Sequence, residues 1–132
     1  MTNKTLVNPW TWQEQWGFNQ AVSAEGVKRT VYCSGQTPVD ADCNPQHAGD
    51  MEAQAHLTLD NVEAVLKEAG MTLANVVRLN YYVTDVPAYM AAAESVTRRL
   101  AEAGCQPTST LLGVAALFHP DVMIEIEATA VD

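Results

Sequence analysis

Apolar positions in the middle of the chain recur with helical spacing. From Met51 onward, Ala55, Leu59, Val62, Leu66 and Ala69 step by four, three, four and three, which places them on one helical face. Asp50 can cap the start of this helix and Gly70 its end. Tyr89, Ala93, Val96, Leu100 and Ala103 repeat the same steps, and the preceding Thr84-Asp85-Val86-Pro87 supplies a capping acid and a first-turn proline. Gly104 follows as the expected left-handed residue. Elsewhere the pattern is that of strands. Val76 to Val83 and Val27 to Gln36 are rich in β-branched and aromatic residues, and the second run pairs naturally with Ala21 to Ala24 in a hairpin turning at Glu25-Gly26. Residues 38 to 49 carry the Asp, Asn, Pro and Gly of a loop. Two closing strands, Thr110 to Leu117 and Val122 to Val131, flank His119-Pro120-Asp121. The order predicts an α+β domain with both helices on one sheet face. The opposite face then needs a cover, most simply other copies of the chain.

The length of 132 residues suits one domain over 1–132, and 48% apolar with 17% charged residues is a folding composition. A net charge of -9 repels phosphate backbones and anionic lipid, so neither nucleic acid nor a membrane is an expected partner. No apolar run reaches the ~20 residues of a membrane span, and no basic, then apolar leader opens the chain, so a cytoplasmic location is expected. Cys33, Cys43 and Cys105 and the histidines His47, His56 and His119 are scattered at spacings that suit neither a disulfide framework nor a zinc site. No glycine-rich phosphate cradle is present, so no metal and no cofactor is expected.

Two features could carry chemistry. Ile124-Glu125-Ile126-Glu127-Ala128 alternates strictly, which sends both carboxylates to one face of a strand. They are either a solvated pair or include a general acid/base, its pKa raised toward neutrality by desolvation and by the neighbouring acid. Near the N-terminus, Trp10, Trp12, Trp16 and Phe18 concentrate flat apolar surface suited to core packing, an interface or a pocket wall. Ser34 and Ser109 lack a histidine partner in any evident triad, and Cys33 fits a buried, inert thiol.

Taken together, Ser34-Gly35-Gln36-x-Pro38, Ala53-Gln54-Ala55 to Leu59-Asp60-Asn61-Val62, Ala69-Gly70, Val76-Val77 to Val83-x-Asp85, Gly113-Val114-Ala115-Ala116-Leu117 and Ile124-Glu125-Ile126-Glu127-Ala128-x-Ala130 resemble the Rid family (RidA/YjgF, reactive intermediate deaminases) over roughly residues 15 to 131. The resemblance implies a chorismate-mutase-like fold, with a mixed six-stranded sheet and two helices on one face. It also implies a homotrimer with active sites in the clefts between subunits. Family members of the best-known branch hydrolyse enamines and imines to 2-keto acids and ammonia.

That branch holds the substrate carboxylate with an arginine in a Pro-Ala-Arg-Ser/Thr motif. Here the position is Ser109, and further pocket positions of the family correspond to Phe18, Ala93 and Leu111, with Trp16 beside them. The family's water-activating glutamate corresponds to Glu125 and its strand serine to Ser34. Loss of a bidentate guanidinium removes ~1.5 to 3 kcal/mol of anion binding, and Arg29 and Arg78 are candidate replacements. The implied function is a divergent hydrolase or deaminase acting on a small imine, enamine or amide-like metabolite, neutral or more aromatic than the family's usual substrate. Its catalytic residues would be Glu125 and Ser34, and Phe18, Trp16, Ala93, Ser109 and Leu111 would bind the substrate. The competing class is a non-catalytic small-molecule-binding or chaperone-like trimer of the same fold.

Overall fold

The computed structural model describes residues 2–132. Six strands, β1 (Asn3–Val7), β2 (Ala21–Glu25), β3 (Thr30–Gln36), β4 (Val76–Val83), β5 (Thr108–Gly113) and β6 (Ile124–Val131), accompany two helices, α1 (Met51–Glu68) and α2 (Val86–Glu102). Both helices start where an aspartate can cap them. Asp50 accepts from the Ala53 amide at 3.1 Å and Asp85 from the Ala88 amide at 3.0 Å, satisfying amides that the first turn leaves free. Gly70 and Gly104, just past the helix ends, take the left-handed backbone there at φ 78° and 70°.

The main sheet is mixed, in the order β3-β6-β4-β5, with β4 antiparallel to β6 and parallel to β5. Both helices cover one face of it. Leu59, Val62 and Leu66 of α1 and Val96 and Leu100 of α2 meet Leu79 and Val83 of β4 and Ile124 and Ile126 of β6 in a single core. Alternation sends the intervening residues, Arg78, Asn80 and Tyr82 of β4 and Glu125, Glu127 and Thr129 of β6, to the face that neither helix covers. Among the described residues, no helix is long and apolar enough to cross a membrane.

The strand pairing departs from the sequence expectation in two places. The six strands do not form one sheet, because β2 pairs with β1 in a separate ribbon, from Asn3 opposite Glu25 to Val7 opposite Ala21. No β2–β3 hairpin forms at Glu25-Gly26. The backbone of residues 28 and 29 is taken up by the C-terminus instead, with the Lys28 and Arg29 amides both donating to the Asp132 carbonyl. Nothing in the pattern announced β1, since all five of its residues are exposed and no alternation marks it. The two closing strands are also shorter than expected and do not pair with each other, because β4 lies between them.

Candidate active site

A cavity of about 330 Å³ opens between α2, the β5 edge of the sheet and the N-terminal segment. Its outer wall is a 3₁₀ turn over Trp12–Trp16, ended by Gly17 in the left-handed region at φ 72°. A β-carbon at Gly17 would lie 2.5 Å from Thr97 Cγ2 of α2, so only glycine allows the turn to seat this closely. The segment is fixed by Asn19. Its backbone amide donates to the Pro107 carbonyl at 2.8 Å and its side-chain amide to the Gln106 carbonyl at 3.0 Å, which sets Phe18 beside the start of β5. Asn8 adds a bond to Asn19 Oδ1 and another from the Gln20 amide.

Five residues singled out in the sequence, Trp16, Phe18, Ala93, Ser109 and Leu111, line this one cavity. Trp12 joins them, its ring edge-on to Phe18 with centroids 6.0 Å apart, whereas Trp10 stays outside and exposed. Tyr81 and Tyr89 close the floor with centroids 5.5 Å apart. Burial pushes both phenols up from their ordinary value, so the floor is electrically neutral. Asn19, which locks the wall in place, was not among the expected site residues. Its signal is its position directly after Phe18, at the end of the tryptophan-rich segment.

Glu125 and Ser34 lie elsewhere. Ser109 and Leu111 register with Leu79 and Tyr81 on the helix-covered face of the sheet, whereas Glu125 registers with Tyr82 on the other. There, β3 carries an irregularity between Cys33 and Gln36, and the Glu125 carboxylate rests on Gly35, beside Ser34. A β-carbon at Gly35 would overlap Glu125 Oε2 and come 2.7 Å from its Cδ. Within one protomer, then, the expected acid and the expected pocket occupy opposite sides of the sheet.

The second acid departs from the raised pKa that strand alternation allows for this pair. Glu127 Oε1 accepts from the Tyr82 hydroxyl at 2.6 Å and from Asn80 Nδ2 at 3.0 Å. The Tyr82 and Asn80 bonds, with help from Arg78, hold Glu127 below its ordinary value, and the same bond pushes Tyr82 up. Glu127 is a fixed anion and a poor proton donor. Cys33 is buried and its thiol is pushed up by desolvation, as expected of an inert residue.

Neither candidate arginine reaches the cavity. Arg29 is bound to Asp132 through Nε at 3.1 Å and Nη2 at 2.5 Å, and to the Ala69 carbonyl. Arg78 lies on the uncovered sheet face, where it donates to the Thr108 and Thr110 hydroxyls.

Comparison with known proteins bears on the fold and the family. The family model described as Endoribonuclease L-PSP matches residues 13–132. A structure from Yersinia pestis, titled as a protein of unknown function of the conserved Rid family, YyfB, superposes with a TM-score of 0.88 at 36% identity, covering 98% of each chain. The mitochondrial protein mmf2 of Schizosaccharomyces pombe is 32% identical over 116 residues, 87% of each chain. The Escherichia coli protein named "Putative reactive intermediate deaminase TdcF" is 33% identical over 102 residues, 76% of this chain and 78% of its own.

Proposed function

Because the chain belongs to the Rid (YjgF/RidA) family, we propose that it is a hydrolase acting on the carbon–nitrogen bond of a small imine, enamine or amide-like metabolite. The observation that carries this reading is the Glu125 carboxylate, seated on Gly35 beside Ser34 at a sheet face that the protomer leaves uncovered. The E. coli relative named for reactive intermediate deamination supports the class of reaction.

In the proposed reaction, Glu125 takes a proton from water as the oxygen adds to the imine carbon. That proton passes to nitrogen to give the carbinolamine; Glu125 then moves the carbinolamine's hydroxyl proton to nitrogen, and the carbon–nitrogen bond breaks so that ammonia leaves as the carbonyl forms. An enamine enters the same sequence after protonation at carbon. Ser34 is proposed to orient the water or the nitrogen.

The site needs more than one copy. Glu125 of one protomer would have to meet the cavity of another, since the two lie on opposite faces of a single sheet. A homotrimer in which the uncovered faces turn inward supplies that meeting and covers Tyr32, now 80% exposed, and Leu112, 49% exposed. Ribonuclease action, suggested by the description of the matching family model, is disfavoured by a net charge of -9. A second reading, binding without turnover, is favoured by the lack of any acidic or basic side chain in the cavity lining of the protomer.

The deciding experiment measures ammonia release from imines generated in solution, together with the assembly mass. Wild-type protein should accelerate release as a trimer, and Glu125→Gln should lower the rate by ~10²- to 10⁴-fold. Unchanged activity in Glu125→Gln would overturn the hydrolase reading, and ligand binding with no product would favour the binding module.

A further inference from the structure

Taking the cavity beside α2 as the place where the reacting molecule sits, we infer that it selects an uncharged compound carrying a planar aromatic ring and rejects carboxylates. This rests on the function proposed above for the same site.

None of the residues lining the cavity is acidic or basic, and its two phenols are held neutral by burial. The cations are committed elsewhere or distant. Arg29 is paired with Asp132, Arg99 with Asp60 and Glu63, and Arg98 with Glu94, while Lys4 donates to the Ala74 carbonyl. Arg78 shares the uncovered sheet face with Glu125 but is occupied there by the Thr108 and Thr110 hydroxyls, and Lys28 and Lys67 lie outside the lining. An anion entering this cavity loses hydration and gains no counter-ion, a strongly unfavourable exchange. If the partner's water-activating residue is an acid, its field adds to the rejection.

Shape and polarizability supply the positive half. Trp12 and Phe18 already stand edge to face, and Tyr81 and Tyr89 are tilted against each other, so a flat ring can join either pair at the centroid spacings that aromatic groups favour. Met90 adds a thioether able to follow a ring's outline. The half-buried Ser109 hydroxyl is a neutral anchor for a carbonyl, amide or imine at the ring's other end, while the Thr97 hydroxyl, which donates to the Trp16 carbonyl, can accept from an amide N–H. A volume near the low end of ligand pockets suits one ring with a short substituent.

Three probes separate these contributions: phenylacetamide, phenylacetate and acetamide. Binding to the full chain in its native assembly is read from tryptophan fluorescence, since Trp12 and Trp16 line the cavity, and checked by calorimetry. At neutral pH, phenylacetamide should bind at least about tenfold more tightly than either phenylacetate or acetamide. Ser109→Arg should invert the preference, giving phenylacetate at least about a tenfold gain over the wild-type value. Equal or tighter wild-type binding of phenylacetate overturns the charge argument, and equal binding of acetamide overturns the ring argument. No binding of any probe overturns both. The wild-type comparison stands even where Ser109→Arg fails to fold. Hydrolysis that depends on Glu125 combined with a preference for phenylacetate would remove this inference alone. A preference for phenylacetamide with hydrolysis indifferent to Glu125 would remove the reaction and leave the ligand class.

Discussion

The carboxylate of Glu125 occupies the space that a β-carbon on Gly35 would take. The glycine therefore shapes the acid's position across two paired strands, and the contact is with the far end of a flexible side chain. Gly35→Ala should consequently fold, with a melting temperature close to wild type, because Glu125 can swing aside. The activity proposed for the site should still fall by ~10²-fold or more, since a displaced acid no longer meets its water. Full activity in Gly35→Ala would show that the observed position of Glu125 is irrelevant to turnover.

Complementation tests whether the site is shared between copies. Ala93→Trp should fill the cavity, and Glu125→Gln should remove the acid, leaving each variant nearly inactive alone. Co-expressed in equal amounts, the two should form mixed assemblies in which roughly a quarter of the sites combine an intact cavity with an intact acid. Activity should recover to about that fraction. No recovery in assemblies proven to be mixed would place acid and cavity in the same chain's site.

The Glu127 network predicts a pH dependence of stability. Its folded-state pKa lies below the ordinary value of 4.5 because the Tyr82 and Asn80 bonds favour the anion. A group lowered on folding contributes stability above its ordinary value and loses it as pH falls through the lowered one. Wild type should therefore melt at a higher temperature than Glu127→Gln near neutrality, and the gap should close as pH falls below 4.5. Melting curves across that range decide it; a constant gap would remove Glu127 from the acid-labile groups.

Gln54 is wholly buried in α1 and joins two loops to it. Its Nε2 donates to the carbonyls of Gln46 and Asp121, at 3.0 and 2.6 Å, and its Oε1 accepts from the Met123 amide at 2.9 Å. Gln54→Leu keeps the bulk but strands these partners, at about 1 to 3 kcal/mol for each that water cannot reach. Denaturant unfolding should show a loss of at least about 2 kcal/mol by the same reckoning. A loss below about 0.5 kcal/mol would mean that water replaces the side chain at no cost.

Much of this was legible from contiguous residues. The four-three spacing from Ala55 to Leu66 and from Tyr89 to Leu100 reports directly which side of each helix is buried, and Asp50 and Asp85 mark where the helices begin. The alternation from Ile124 to Ala128 separates core isoleucines from surface glutamates. The cavity residues were recognisable too, but through likeness to a family, since nothing in the spacing of Phe18, Ala93, Ser109 and Leu111 announces that they meet. Gln54 and Asn19 escaped because a buried amide is defined by carbonyls distant in sequence, which leave no mark beside it.

The helices, their caps, the faces of β4 and β6 and the neutrality of the residues that form the cavity are all written in the order of amino acids. These follow from periodicity and side-chain chemistry within a few residues of chain. Long-range packing, in contrast, turns β2 to β1 while residues 28 and 29 pair with Asp132, holds Arg29 and Arg78 away from the cavity, and puts Glu125 and the pocket on opposite sheet faces. Those outcomes are competitions among distant backbone and side-chain partners, settled by which hydrogen bonds and buried surfaces can be satisfied together.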